Sequence, residues 1–238
     1  MVLDLVRKDK RGRSLDIDEF NRVAKIANAR LYAHYYNQFE TSNDVSNALA
    51  KFKVTNYEVS LTAGVGTLPA NYYDLIGAPR YTDGSDTREV DVVTNIEYTK
   101  RQSDYLTRPT TTHPIMMLAG VSGTQTQVYV LPVTVSSIRV DYLKEASTPF
   151  LDYYVNDTTL EYTYIDAGST PTVPTGSTYR DGSVGSYAVP TALTVNFDWD
   201  SGDVPLLLSY FVQILGLQLG DEMLIQVGNA EELKNSVQ

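Results

Sequence analysis

The chain has 238 residues, 42% of them hydrophobic and 20% charged, a composition that excludes wholesale disorder and lets a fold of this size bury about 70% of its unfolded surface. It contains no cysteine, which removes disulfide frameworks, thiol chemistry, cysteine-ligated zinc and iron–sulfur clusters together, and its two histidines, His34 and His113, offer little to a histidine-based metal site or relay. The formal net charge of −10 is unevenly spread: residues 7–13 hold five bases and one acid, whereas between Glu145 and Leu233 Arg180 is the only base against thirteen acids.

The five bases are Arg7, Lys8, Lys10, Arg11 and Arg13. A short cationic arm on an acidic body suits an electrostatic contact with phosphate or with an acidic protein surface, the alternative being a solvated chain end. DNA binding as a main function is disfavoured, because counterion release needs more clustered cations than this group supplies. Residues 1–6 are too short an apolar stretch for a secretory signal.

Asp16 and Glu19 have the spacing of a capping box, so a helix is expected to start there. Phe20, Val23, Ala24, Ala27, Leu31 and Tyr35 fall on one face at 3.6 residues per turn, with Asn21, Lys25 and Asn28 opposite, which predicts an amphipathic helix to about residue 39. His34 sits on the border of the apolar face, where an edge histidine satisfied by a hydrogen bond is a simpler reading than a ligand. Thr41 and Asp44 repeat the capping spacing, and Val45, Leu49 and Phe52 supply one face of a second, shorter helix.

From residue 54 to about 197 the pattern changes to short runs rich in Val, Ile, Thr and Tyr between Gly, Pro, Asp and Ser, the pattern of antiparallel sheet. Strands are predicted at 57–61, 89–93, 127–131, 137–143, 161–165 and 193–197. Residues 132–136 are expected to connect a hairpin and 156–158 to turn a second one. Parallel β-α-β organisation is not expected, because no helix-length segment separates successive strands. Tyr153, Tyr154, Tyr162 and Tyr164 lie in adjacent predicted strands and suit cross-strand pairs; the 18 tyrosines serve either sheet packing or an interface. Residues 167–190, small and polar with three prolines, are too polar to build their own core and read as a surface segment, a flexible spacer or a partner-binding arm.

Asp203 as a cap and Pro205 in the first turn predict a last helical region, broken into two pieces near Gly220 and Asp221. The first piece is apolar nearly all round, with Leu208, Phe211, Val212 and Leu215 among its core or oligomer positions. Such a helix must be covered on every side, and a neighbouring subunit is expected to cover part of it. Ser209, Gln213 and Gln218 interrupt the run, which falls short of the roughly 20 residues a bilayer demands, so no membrane span is expected. The predicted fold is α+β: N-terminal helices over 1–53, a central antiparallel, sandwich-like β domain over 54–200, and C-terminal helices over 201–238 that pack with the N-terminal ones.

Motifs for chemistry fail one by one. Gly64-Val65-Gly66 lacks the third glycine of a dinucleotide fingerprint, and Leu68-Pro69 prevents a helix from opening there. Asp198, Asp200 and Asp203 alternate as calcium ligands do, but the glycine falls one position early and the twelfth position is Ser209, so a turn with a helix cap fits better. No carboxylate pair is specified for sugar cleavage. No cofactor is expected.

Three stretches carry a resemblance: Leu68-Pro69-Ala70-Asn71-Tyr72-Tyr73, Arg108-Pro109-Thr110 through His113-Pro114, and Phe197-Asp198-Trp199-Asp200 before the last helix. Together with the order of segments, the chain outside roughly 146–190 resembles the head-to-tail connector proteins of short-tailed bacteriophages, particularly ring proteins of the crAss-like phages that infect gut Bacteroidales. The resemblance implies no active site. It implies a virion subunit at the head–tail junction or in the tail, stacked in cyclic rings, commonly of twelve copies, with the portal and other tail proteins as partners and DNA passing through the channel without sequence-specific binding. The alternative from the residues themselves is a β-sandwich recognition module of the tail-spike or adhesin type, binding glycan through exposed tyrosines and the 167–190 segment.

Overall fold

In a computed structural model of the chain, the described residues are 17–39, 47–84, 86–123, 125–188, 191–219, 226 and 229–230. They form an α+β fold that opens with helix α1 (Ile17–Asn37), continues through antiparallel-dominated sheets and ends in a helix over Val204–Leu219, the order predicted. Asp16, Thr41, Asp44, Val45, Gly220 and Asp221 lie outside the described residues, whereas Leu49 and Phe52 are fully buried. Contacts divide the chain into two compact units, Leu49–Glu145 and Met1–Ala48 with Ala146–Gln238, so the segment 54–200 belongs to both.

The unit Leu49–Glu145 contains β1 (Lys53–Ser60), β2 (Val65–Thr67), β3 (Tyr72–Leu75), β4 (Arg80–Asp83), β5 (Asp86–Glu89), β6 (Asp91–Val92), helix α2 (Asn95–Ser103), β7 (Ile115–Ser122), β8 (Gln125–Leu131) and β9 (Ser137–Lys144). One sheet runs β1-β9-β4-β5, with β3 also paired to β9, and a second runs β2-β8-β7-β6. Two-residue alternation assigns the inner faces: Ile138, Val140 and Tyr142 of β9 and Val128 and Val130 of β8 are all buried, and with Val59, Val90 and Met116 they form one core fed by both sheets.

Three expectations change in this unit. Residues 132–136 do not close a hairpin, because β8 and β9 lie in different sheets; the connection passes from one sheet to the other with Val135 turned into the core. The strand predicted at 89–93 splits around the fully buried Val90, so that β5 serves one sheet and β6 the other. Finally, β6 and β7 pair in parallel, Asp91 against Ile115, through a crossover that contains α2. That β-α-β unit was not expected, since α2 buries only Tyr98 and shows no apolar stripe. Its signal lies at its start, where the Thr94 hydroxyl accepts from Glu97 N–H at 3.3 Å and Thr94 and Glu97 have capping-box spacing.

In the other unit, β10 (Asp152–Asn156) lies between β11 (Tyr162–Ile165) and β13 (Ser177–Tyr179), while β12 (Thr172–Val173) pairs with β14 (Tyr187–Ala188). The expected turn after Asn156 forms: its Oδ1 accepts from the N–H groups of Thr158 and Thr159, both at 2.9 Å. The strand predicted at 193–197 reduces to an isolated bridge between Val195 and Phe150. Residues 167–190 do contribute to a core, contrary to expectation: Val173 and Tyr179 are buried with Ile165 and Ala192.

Helix α1 departs from its predicted face. Asn21 and Asn28, placed opposite the apolar stripe by periodicity, are buried. Asn21 acts as a strand partner, donating Nδ2 to Leu151 O at 3.0 Å and accepting Leu151 N–H at 2.8 Å. Asn28 donates to Ser147 O at 3.1 Å and accepts from Trp199 Nε1 at 2.6 Å. Amides whose bonding capacity is met by backbone and indole can be buried at little cost, and an apolarity scan does not see them.

Candidate interface residues

Helix α3 (Val204–Leu219) is the predicted core or oligomer helix. Phe211 and Leu215 are 2% exposed; Leu208 and Val212 are half-buried. Its cover comes from its own chain: the Phe211 ring meets Phe20 at 5.3 Å and Phe197 at 6.3 Å, and His34 of α1 lies 6.4 Å from the Tyr210 ring. Helix α3 packs on α1, and between 206 and 215 it is buried except at Leu208 and Val212. Asp203 precedes the helix and its carbonyl accepts the first helical bond, from Leu207 N–H at 3.0 Å. Its carboxylate is used elsewhere, accepting from Tyr35 OH at 2.7 Å and Asp200 N–H at 3.2 Å. Burial first, and then donation to Asp203, push the Tyr35 phenol well above its ordinary value. Among the described residues, no helix is long and apolar enough to cross a membrane. Arg7, Lys8, Lys10, Arg11 and Arg13 lie outside the described residues.

Asp152 is fully buried, and its carboxylate is saturated. Oδ1 accepts from Arg180 Nε at 2.8 Å and Tyr153 N–H at 3.1 Å, and Oδ2 from Tyr179 OH at 2.7 Å and Leu193 N–H at 3.0 Å. Arg180, the lone base of the acidic stretch, therefore has its partner, and its guanidinium also lies 5.0 Å from the Phe150 ring centre. Burial, then the bond to Asp152, raise the Tyr179 phenol. Next to this centre, the Thr194 hydroxyl accepts from Asp152 N–H at 3.0 Å and donates to Ile165 O. A carboxylate with four donors holds the polar 167–190 segment in place and has no lone pair aimed at an open cleft.

The other candidates have structural partners too. Asp198 accepts from Ser147 N–H at 2.7 Å, and among the described residues no three histidine, aspartate or glutamate side chains are grouped to hold a metal ion. The aromatic pair expected between strands forms diagonally, Tyr153 and Tyr162 at 5.5 Å and edge to face. His113 is exposed and lies in the other unit from His34. Gly64 adopts φ +79°, and a Cβ there would stand 2.5 Å from Val130 O, so this glycine serves close backbone packing.

Sequence reasoning missed the most exposed apolar feature among the described residues. Just after α2, Tyr105 and Leu106 are 91% and 89% exposed. The turn that carries them is fixed by Asp104, whose Oδ1 accepts from Leu106 N–H at 3.1 Å and Oδ2 from Thr107 Oγ1 at 2.9 Å. Those two bonds, the backbone one first, hold the Asp104 carboxyl below its ordinary range. Two adjacent apolar residues in a loop leave no periodic trace; the Asp-x-x-Thr spacing of the pinned turn was the available signal. Charge is distributed differently in the two parts of the sequence: residues 49–145 have nine bases and ten acids, residues 146–238 two bases and twelve acids.

Comparison of the chain with protein-family models finds no match, and neither does comparison with curated proteins.

Proposed function

We propose that this chain is a non-enzymatic virion structural protein: a head-to-tail connector subunit of a short-tailed phage, assembled as a ring between portal and tail around the DNA channel. The observation that carries the reading is the pinned turn at 104–107, which keeps two large apolar side chains in water although nothing local requires it. Rigid, exposed aromatic and aliphatic pairs of this kind are what protein contacts use as anchors. The acidic charge of residues 146–238 fits a wall that DNA passes without being gripped. The resemblance supplies the copy number, twelve, and the portal as neighbour, with the cationic residues 7–13 as the arm that docks on an acidic ring or portal surface. Light scattering with negative-stain imaging tests this. Closed rings are the expected result, and a chain that stays single at high concentration overturns it.

A second reading, a glycan-binding module of a tail spike or adhesin, is favoured by Tyr162 and Tyr164, 39% and 40% exposed on β11. Binding of a glycan by a monomer would select it.

A further inference from the structure

Two of the turns among the described residues hold a large apolar side chain outward between charges of opposite sign. The first is the Asp104 turn, with Tyr105 and Leu106 flanked by the exposed Lys100 and Arg108. An open depression of about 390 Å3 along α2, lined by Ile96, Lys100 and Ser103 among others, leads up to it in sequence. The second is the turn between β10 and β11, where Leu160 is 71% exposed and adopts φ +55°, a left-handed conformation that a leucine takes only at a cost. This turn is also fixed: Leu160 N–H donates to Asn156 O at 2.8 Å, and Asn156 Oδ1 accepts from the N–H groups of Thr158 and Thr159. Asp157 and Glu161, both exposed, flank Leu160. Val184, 71% exposed, bridges to Thr178, the residue of β13 that pairs with Val155, which puts it at the same end of the sheet.

We infer that Tyr105, Leu106 and Arg108 of one copy dock on Leu160, Asp157 and Glu161 of a second copy. The contact deepens the ring reading and rests on it. An apolar centre with a charged rim is the usual build of a protein interface, and here the two rims are complementary. Pairing of the acidic turn with its own copy is disfavoured, because two faces that each present Asp157 and Glu161 repel, which favours the head-to-tail contact that repeats from subunit to subunit and closes when the rotation permits.

The full chain is assayed by light scattering and negative-stain imaging against subunit concentration. Tyr105→Ala with Leu106→Ala is expected to raise the concentration needed for assembly at least about tenfold with an unchanged unfolding midpoint, as loss of a central anchor pair does. Arg108→Glu alone is expected to weaken assembly, and Arg108→Glu with Glu161→Arg in one chain to restore it. Because the chain has no cysteine, Leu106→Cys carrying a benzophenone label reports the contact directly. Mixed isotope-labelled and unlabelled chains should yield cross-links between copies into residues 152–165. Assembly indifferent to the alanine pair, failure of the charge exchange to restore it, or cross-links confined to one chain would overturn the contact while leaving the ring reading in place. An unsubstituted chain that never assembles defeats the ring reading itself, and the contact with it.

Discussion

Residues 49–145 and residues 146–203 both fold into strands, but different forces choose their partners. In the first, alternation does the choosing: Ile138, Val140, Val128 and Val130 are all fully buried in one core. In the second, a buried carboxylate gathers Arg180, Tyr179 and Leu193 from up to 41 residues away, and the apolar cluster beside it is small. A sheet built on apolar periodicity tolerates exchange among similar side chains, whereas a segment built on one charge depends on that charge.

Four changes break or sharpen that contrast. The largest effect is expected from Leu215→Asp, which puts an unpaired carboxylate at a 2% exposed position of α3 and should cost more than about 4 kcal/mol in urea unfolding; a loss below about 1 kcal/mol would mean that the helix is not core. Asp152→Ala leaves Arg180 and Tyr179 without their acceptor and should cost about 3–5 kcal/mol. Hydrogen exchange should accelerate across 152–194 and stay slow in β8 and β9; uniform acceleration would contradict the division into units. Gly64→Ala, at φ +79° and against Val130 O, should cost about 1–3 kcal/mol and speed exchange in β2 and β8 instead.

The smallest effect concerns pH. The Tyr35 phenol is raised in the folded chain, so the stability it contributes is complete below the ordinary tyrosine value near 10 and is lost as pH rises through the higher folded value. Tyr35→Phe should cost about 1 kcal/mol at neutral pH through the lost bond to Asp203 and should flatten the alkaline decline of stability. An identical decline in both proteins would remove Tyr35 as its source.

What could be read from the sequence follows the same division. Strands such as β8 and β9 announce themselves through alternating valines and isoleucines, α1 through its apolar stripe and α3 through an apolar run capped by Asp203 and Pro205. Pairing is another matter: nothing local tells that 132–136 changes sheets or that Asp91 lies parallel to Ile115. The buried amides of α1 imitate a polar face in any hydropathy pattern. The 167–190 segment looked coreless because its anchor, Asp152, lies 28 residues before Arg180; the isolation of that arginine among acids was its one visible trace. Tyr105 and Leu106 carry no periodic signal at all, since exposure is a property of the folded chain.

The amides of α1 also act as a gauge. Asn21 and Asn28 stand two helical turns apart, about 10 Å, and meet Leu151 and Ser147, four positions apart in the sequence. Removing a single amino acid between 147 and 151 would move one end of that span by about 3.3 Å, too far for both amides to keep their grip. The short stretch leading out of residue 146 is thus length-critical, while the β10–β11 loop could be extended without disturbing it.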